Sequence, residues 1–365
     1  MKKVFLLIIL IIGVIFSSCR NGDWEFPDND FSAVYFAYQS PVRTITLGND
    51  YVNDNTLDNE YKCQIMATVG GFREIKKDIE IGFKVDNSLC DNLSNVKPMP
   101  ENYYSLSGNK MIIKKGGKPL GGVVVQLTDA FFADPLALTN NYVIPLMITD
   151  VKNADRILSG KPISTVSNPN RFIPGDWDIV PKDYILYGVK YINPWDAIYL
   201  RRGQDVVTKN DITNTEIRRE NFVESDELVK LTSTSLTEIL FPMSYTNVDG
   251  ANLKMKLKMT FNSNQECTFS PFETSYNFTY ETDQATRTVH VYDITVSGQG
   301  KYVTDGEKKS WGNKDRDVLY LNYEVAYKVE TSGFADIETV KYNTTDTLVI
   351  RDRGIKPEHI TPVLK

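Results

Sequence analysis

Aromatic rings and hydrogen-bonding side chains gather in one short stretch of this chain. Tyr187, Tyr191, Trp195 and Tyr199 share it with Asp196 and Arg201, and Trp177 and Asp178 stand just before it. Flat rings supply contact area at little cost in conformational entropy. A carboxylate and a guanidinium beside them can take hydroxyl groups. Such a set suits the CH-rich face and the hydroxyl rim of a pyranose. Trp311 stands apart in a charged loop, Glu307 to Asp317 (EKKSWGNKDRD), where an indole has little local core to join. The candidate ligand-binding residues are therefore Trp195, Trp311, Trp177, Tyr191, Tyr199, Asp196 and Arg201. The competing reading is packing, because a tyrosine at period two on a strand usually faces a core.

Bond-breaking chemistry finds less support. The only histidines are His290 and His359; the first reads as a packed strand residue and the second lies in a polar tail. A glycosidase needs two carboxylates at a set separation. Asp176, Asp178, Asp196 and Asp205 are near the aromatics along the chain, but that spacing fixes no distance in space. The chain has no GxSxG and no DxxDxDxE pattern, and Gly116-Gly117 and Gly121-Gly122 lack the GK[ST] ending of a phosphate loop. The run Asn53 to Asn59 reads as a solvated loop rather than a calcium site. No CxxC pair points to zinc. The expectation is a non-enzyme without cofactor or metal. With 41 Lys plus Arg against 47 Asp plus Glu, the net charge of -6 also argues against a nucleic-acid partner.

The N-terminus addresses the compartment. Met1-Lys2-Lys3 is a basic start, and Val4 to Phe16 is an apolar run too short to span a bilayer. Phe16-Ser17-Ser18-Cys19 follows and resembles the lipobox of bacterial lipoproteins. The resemblance implies a signal peptide over 1–18, a lipid on Cys19 and a tether over 19–30. Asp23, Glu25, Asp28 and Asp30 in that tether resemble a surface-export signal. The expected location is the outer membrane, lipid-anchored and facing the cell exterior. Acyl chains on Cys19 would hold the protein firmly, since two chains suffice. Of the remaining cysteines, Cys63, Cys90 and Cys267, an odd number cannot all pair within one chain. A Cys63–Cys90 bridge is open, and nothing in the spacing demands it.

The elements that must position these residues read as β almost throughout. Ala33 to Ala37, Cys63 to Val69, Asp78 to Val85, Val123 to Leu127 and Tyr142 to Thr149 are short runs rich in β-branched and aromatic residues, separated by Gly and Asn turns. Ile79, Ile81, Phe83 and Val85 alternate with polar neighbours, the pattern of an antiparallel sheet over one core. Pro145 places its strand at an edge or a bulge. An immunoglobulin- or fibronectin-like β-sandwich over 31–150 follows. The segment 151–182, rich in Pro and Asn, reads as a linker. A second domain, 183–365, would open with a hairpin of Tyr187–Tyr191 against Ile198–Arg202. Leu253 to Phe261 then alternates strictly, and Thr286 to Val296 and Val318 to Val329 are long strands. That pattern is an antiparallel β-barrel or β-sandwich, a lipocalin-like meander. The fold class is all-β.

Trp24-Glu25-Phe26-Pro27-Asp28, Val34-Tyr35-Phe36-Ala37-Tyr38-Gln39, Pro41-Val42-Arg43-Thr44-Ile45 and Leu47-Gly48 resemble the start of a family of Bacteroidota lipoproteins of unassigned function. Its N-terminal β-sandwich also precedes secreted endo-glycosidases. Lys190-Tyr191-Ile192-Asn193 with Tyr199-Leu200-Arg201-Arg202-Gly203 resembles the C-terminal domain that accompanies it. The resemblance implies a role like that of the SusE/SusF-type surface glycan-binding lipoproteins. The implied partners are a glycan, the membrane through Cys19, and an outer-membrane transporter complex. Two other functions compete: a fimbrillin-like structural protein using a donated edge strand, and a lipocalin-like carrier whose barrel would be hollow and apolar.

Overall fold

The computed structural model describes residues 29–246, 250–282 and 285–365. The leader 1–18, Cys19, Trp24 and most of the tether lie outside the described residues. Within them the chain is all-β, with a sandwich followed by a barrel.

The sandwich is built on β1 (Ala33–Tyr35), β2 (Pro41–Thr46), β3 (Lys62–Gly70), β4 (Ile79–Val85), β5 (Lys110–Ile113), β6 (Leu120–Leu127), β7 (Tyr142–Lys152) and β8 (Tyr184–Ile192). One sheet has β1, β3 and β6 at its centre, and the other runs β2-β8-β7-β4-β5. Alternation decides the faces. Ile79, Ile81 and Phe83 point into the core with Ile65, Ala67, Val123 and Val125 from the facing sheet. Pro145 lies on a central strand rather than at an edge, because β7 pairs with both β8 and β4. Its carbonyl accepts from the amide of Asp86, one residue past the end of β4, so the missing N–H falls where that ladder stops.

Two boundaries differ from the sequence expectation. β8 does not form a hairpin with Ile198–Arg202; it pairs with β2 and β7 and completes the sandwich. Its residues Ile185, Tyr187, Val189 and Tyr191 all enter that core. The sandwich therefore runs on to about Ile192. The segment 151–182 also folds back on it: Arg156–Ile157 pairs with β1, and Lys161–Pro162 pairs with Trp177–Ile179.

The barrel strands are β9 (Ile198–Lys209), β10 (Ile212–Arg218), β11 (Glu227–Lys230), β12 (Glu238–Thr246), β13 (Asn252–Phe261), β14 (Glu266–Pro271), β15 (Tyr276–Glu281), β16 (Thr286–Glu307), β17 (Arg316–Thr331) and β18 (Glu338–Asp352). Together with the two-residue strand Thr232–Ser233 they form an 11-stranded sheet among the described residues. β11 pairs with the start of β9, and Thr232–Ser233, directly after it, pairs with β12. The sheet thus returns on itself at the end next to the sandwich. The interior is filled by Tyr199, Phe241, Met255, Leu257, Met259, Phe269, Tyr323 and Tyr327 among others. His290 is not a core residue: Val289 and Val291 point inward, while His290 lies on the wet face stacked on Tyr292 at 4.7 Å. After β18 the chain returns to the sandwich, where β19 (Glu358–His359) pairs with β2 and Ile360 is buried. The C-terminal strand is thus used within its own chain.

The two domains meet at a polar joint. Arg353 is 2% exposed and its guanidinium donates to the carbonyls of Leu47, Asn49, Asn193 and Asp196. Asp317 is fully buried beside it and accepts from Tyr302 Oη at 2.5 Å, the Asp305 amide and the Asn49 side chain. Tyr51 accepts the Asp317 amide and carries the Arg316 guanidinium over its ring.

Candidate functional site

Most of the residues proposed from the sequence turn out to be structural. Tyr191 belongs to the sandwich core and donates to the Phe132 carbonyl. Tyr199 is wholly buried in the barrel and donates to the Trp195 carbonyl. Trp195 stacks on Phe261 at 3.9 Å and 8°, and its Nε1 donates to Gln265. At 5% exposure it presents no face to a ligand. Asp196 binds Lys230 and accepts the Ser233 amide and hydroxyl. Trp195 and Asp196 sit at the joint because the turn after β8 must re-aim the chain from one core to the other.

Arg201 is committed to the barrel interior. Tyr199, Arg201, Asp205 and Val207 share the inner face of β9. Arg201 Nε donates to Asp346 at 2.9 Å and Nη2 to Tyr323 Oη. Arg218 bridges Asp346 at 2.8 Å and Asp205 at 2.7 Å, and Thr344 completes Asp205. Burial alone would raise the Asp205 carboxyl, but Arg218 and Thr344 outweigh it and hold it low. A buried cation is tolerated only when so matched. Trp177 and Trp311 are half-buried. Trp177 lies in the segment before β8, paired with Pro162, and its Nε1 donates to the Asn170 carbonyl. Trp311 covers an outer apolar cluster with Leu200, Val318 and Val349. The seven candidates therefore make no common surface.

A different feature does. An open groove of about 700 Å³ crosses the outer face of the barrel over β13, β14, β16, β17 and β18. The register explains its lining. Thr268, Gln299, Asn322 and Thr345 pair in succession across β14, β16, β17 and β18. Glu266, Lys301, Tyr320 and Thr347 form the adjacent row. All point outward, because Cys267, Leu321 and Asp346 between them face in. Glycine permits the close approach beneath. A Cβ on Gly300 would lie 2.5 Å from Leu321 Cδ2 and 2.8 Å from Cys267 Sγ, and Gly298 holds φ at 145° against the Asn322 carbonyl.

Tyr320 is the one ring in this groove that reaches solvent, at 38% exposure. Its hydroxyl donates to Glu307 at 2.8 Å, which fixes the ring and leaves its face free of that bond. Partial burial and this carboxylate push the phenol up to about 12, so it stays neutral. Gln299 and Asn322 make no side-chain hydrogen bond among the described residues. Glu266 is held low by Asn262 and then by Lys301, whose ammonium is 3.4 Å away. Sequence reasoning missed Tyr320, although the alternation Val318, Tyr320, Asn322, Glu324 within the long β17 run was available to place it on the wet face.

A second concavity, about 500 Å³, opens at the domain joint between Asn49 and Tyr61 on one side and Thr237, Gln265 and Thr304 on the other. The edge of Trp195 reaches it. Among the described residues no group of His, Cys, Asp and Glu could hold a metal ion. The Asn53–Asn59 run, read from the sequence as a solvated loop, contains a helical turn, Thr56–Asn59, whose first amide is accepted by Asp54.

The fold and this groove define a two-domain β protein with a polar, ring-bearing trough on its second domain. The chain is 39% identical to a Bacteroides ovatus protein of unknown function whose crystal structure is known, over 92% of this chain and 100% of that one, with a TM-score of 0.77. It belongs to that family. Residues 194–354 match the domain of unknown function DUF5627, and residues 27–155 match a model for an N-terminal domain. These limits agree with a barrel that starts after β8. A second Bacteroides ovatus protein of unknown function is 15% identical with a TM-score of 0.37, covering 90% of this chain and 97% of that one. An auxiliary nutrient binding protein from Bacteroides thetaiotaomicron is 14% identical with a TM-score of 0.35, covering 85% and 90%. No curated protein matches the chain.

Proposed function

We propose that this protein binds a saccharide in the groove over Tyr320 and does not cleave it. One observation carries the reading: a single solvent-open ring is framed by two uncommitted amides, Gln299 and Asn322, and by the hydroxyls of Thr268, Thr345 and Thr347. A ring takes the apolar face of a pyranose, and amides satisfy paired hydroxyls as donor and acceptor at once. The flat, open shape suits a chain passing through. A hydrolase would want a carboxyl kept protonated at neutral pH. Glu266, the exposed acid of the groove, is instead held below its usual range. With Cys19 acylated, the protein would display this groove from the outer membrane, facing the exterior, and hand the sugar to a transporter.

The test is a glycan array with soluble protein beginning after Cys19, beside Tyr320→Ala. Binding of a glycan family that Tyr320→Ala weakens by about three- to tenfold supports the reading, since stacking on one ring is worth about 0.5–1.5 kcal/mol. Equal binding by both proteins removes the groove as the site. Release of reducing ends from a bound glycan removes the non-catalytic part.

A further inference from the structure

We infer that the saccharide is polyanionic, carrying sulfate or carboxylate groups, and that it leaves the groove along a row of lysines on β13. The inference rests on the saccharide reading above. Thr260 lines the groove, and the same outward face of β13 continues through Lys258, Lys256 and Lys254. Leu253, Met255, Leu257 and Met259 between them are buried, so the lysines cannot turn inward. Their spacing is two residues, about 6.8 Å along a strand.

The row is unlike the other wet faces of the barrel. Three lysines on β16, β17 and β18 are countered across strands: Lys341 with Glu324 at 2.8 Å, Lys328 with Asp293 at 2.9 Å, Lys301 with Glu266 at 3.4 Å. Lys258 has Glu238 at 3.6 Å. Lys254 and Lys256 are exposed and have no acidic partner among the described residues. In a chain of net charge -6, two adjacent unmatched ammoniums make a local positive field. Apolar surface lies beside them as well. Lys256 stands over the Phe272 ring at 5.6 Å, Phe272 is 45% exposed, and Pro242 is the cross-strand neighbour of Lys256. A charged sugar could therefore place a ring on Phe272 and its anion on Lys256. The groove then sets the orientation and the lysine row selects for charge.

The experiment compares matched polymers in affinity gels: sulfated polysaccharides with their desulfated forms, and polyuronates with their carboxyl-reduced forms. It uses the soluble chain after Cys19, wild type and Lys254→Gln/Lys256→Gln. The exposed double variant should keep the wild-type circular dichroism. The expected result is retention of one charged polymer over its neutral form. The double variant should weaken that retention about fivefold, the scale of two exposed ion pairs. The difference should vanish in 1 M salt, where charges are screened within about 3 Å. Tyr320→Ala should weaken both forms. Equal retention of charged and neutral forms, unchanged in the double variant, overturns the anionic inference and leaves the saccharide reading standing. Retention of no polymer in any pair counts against both.

Discussion

Replacing Arg353 with Met should uncouple the two domains. Arg353 is 2% exposed and donates four hydrogen bonds, at 2.6 to 3.0 Å, to the carbonyls of Leu47, Asn49, Asn193 and Asp196. Leu47 and Asn49 follow β2 in the sandwich, and Asn193 and Asp196 form the turn into the barrel. Met keeps the aliphatic volume and removes every donor. A net loss of about 1 kcal/mol per bond gives about 4 kcal/mol. At roughly 2–4 °C per kcal/mol, Tm should fall by about 8–16 °C. Urea unfolding followed by tryptophan fluorescence and by circular dichroism is the assay. The wild type should show coincident transitions, and Arg353→Met should show two, because Trp195 and Trp177 report on different domains. A loss below about 1 kcal/mol, with the transitions still coincident, would refute the view that this side chain pins the joint.

Trp195→Ala should cost about 3–5 kcal/mol of stability, because it removes a buried ring stacked on Phe261; chemical denaturation measures it, and an unchanged midpoint would return Trp195 to the surface. Stability should also fall in acid. Asp205 is held low in the folded state, chiefly by Arg218 and Thr344 acting against burial. Its contribution is therefore present above the unfolded value of about 4 and is lost as pH falls through the lower folded value. Asp205→Asn should flatten the dependence of the urea midpoint between about pH 5 and pH 2.5. The thiols of Cys63, Cys90 and Cys267 are buried and free, and burial pushes them up to about 12, 11 and 12. A chromogenic disulfide reagent should find none of them in the native soluble protein and all of them in denaturant; native labelling would contradict the packing.

The strand content was legible because period two is a local signal. Ile79-Glu80-Ile81 and Leu253-Lys254-Met255 declare their faces without knowing their partners. The domain boundary was not legible at Tyr184–Ile192. A strand shows its face but not its sheet, and β8 joins the strand at 42–46 through a long-range parallel ladder. The candidate residues scatter for a related reason. Aromatics close in sequence looked like a cluster, but Tyr191 and Tyr199 enter separate cores and Arg201 is matched by Asp346, distant along the chain. Tyr320, Gln299 and Asn322 become neighbours only through the register of β16 and β17.

The most direct measurement is a crystal structure of the soluble chain with the tightest array ligand bound. The account predicts a pyranose lying on the Tyr320 ring with hydroxyls on Gln299 or Asn322. The same sugar held instead in the joint between Asn49 and Gln265, with the outer trough empty, would contradict it.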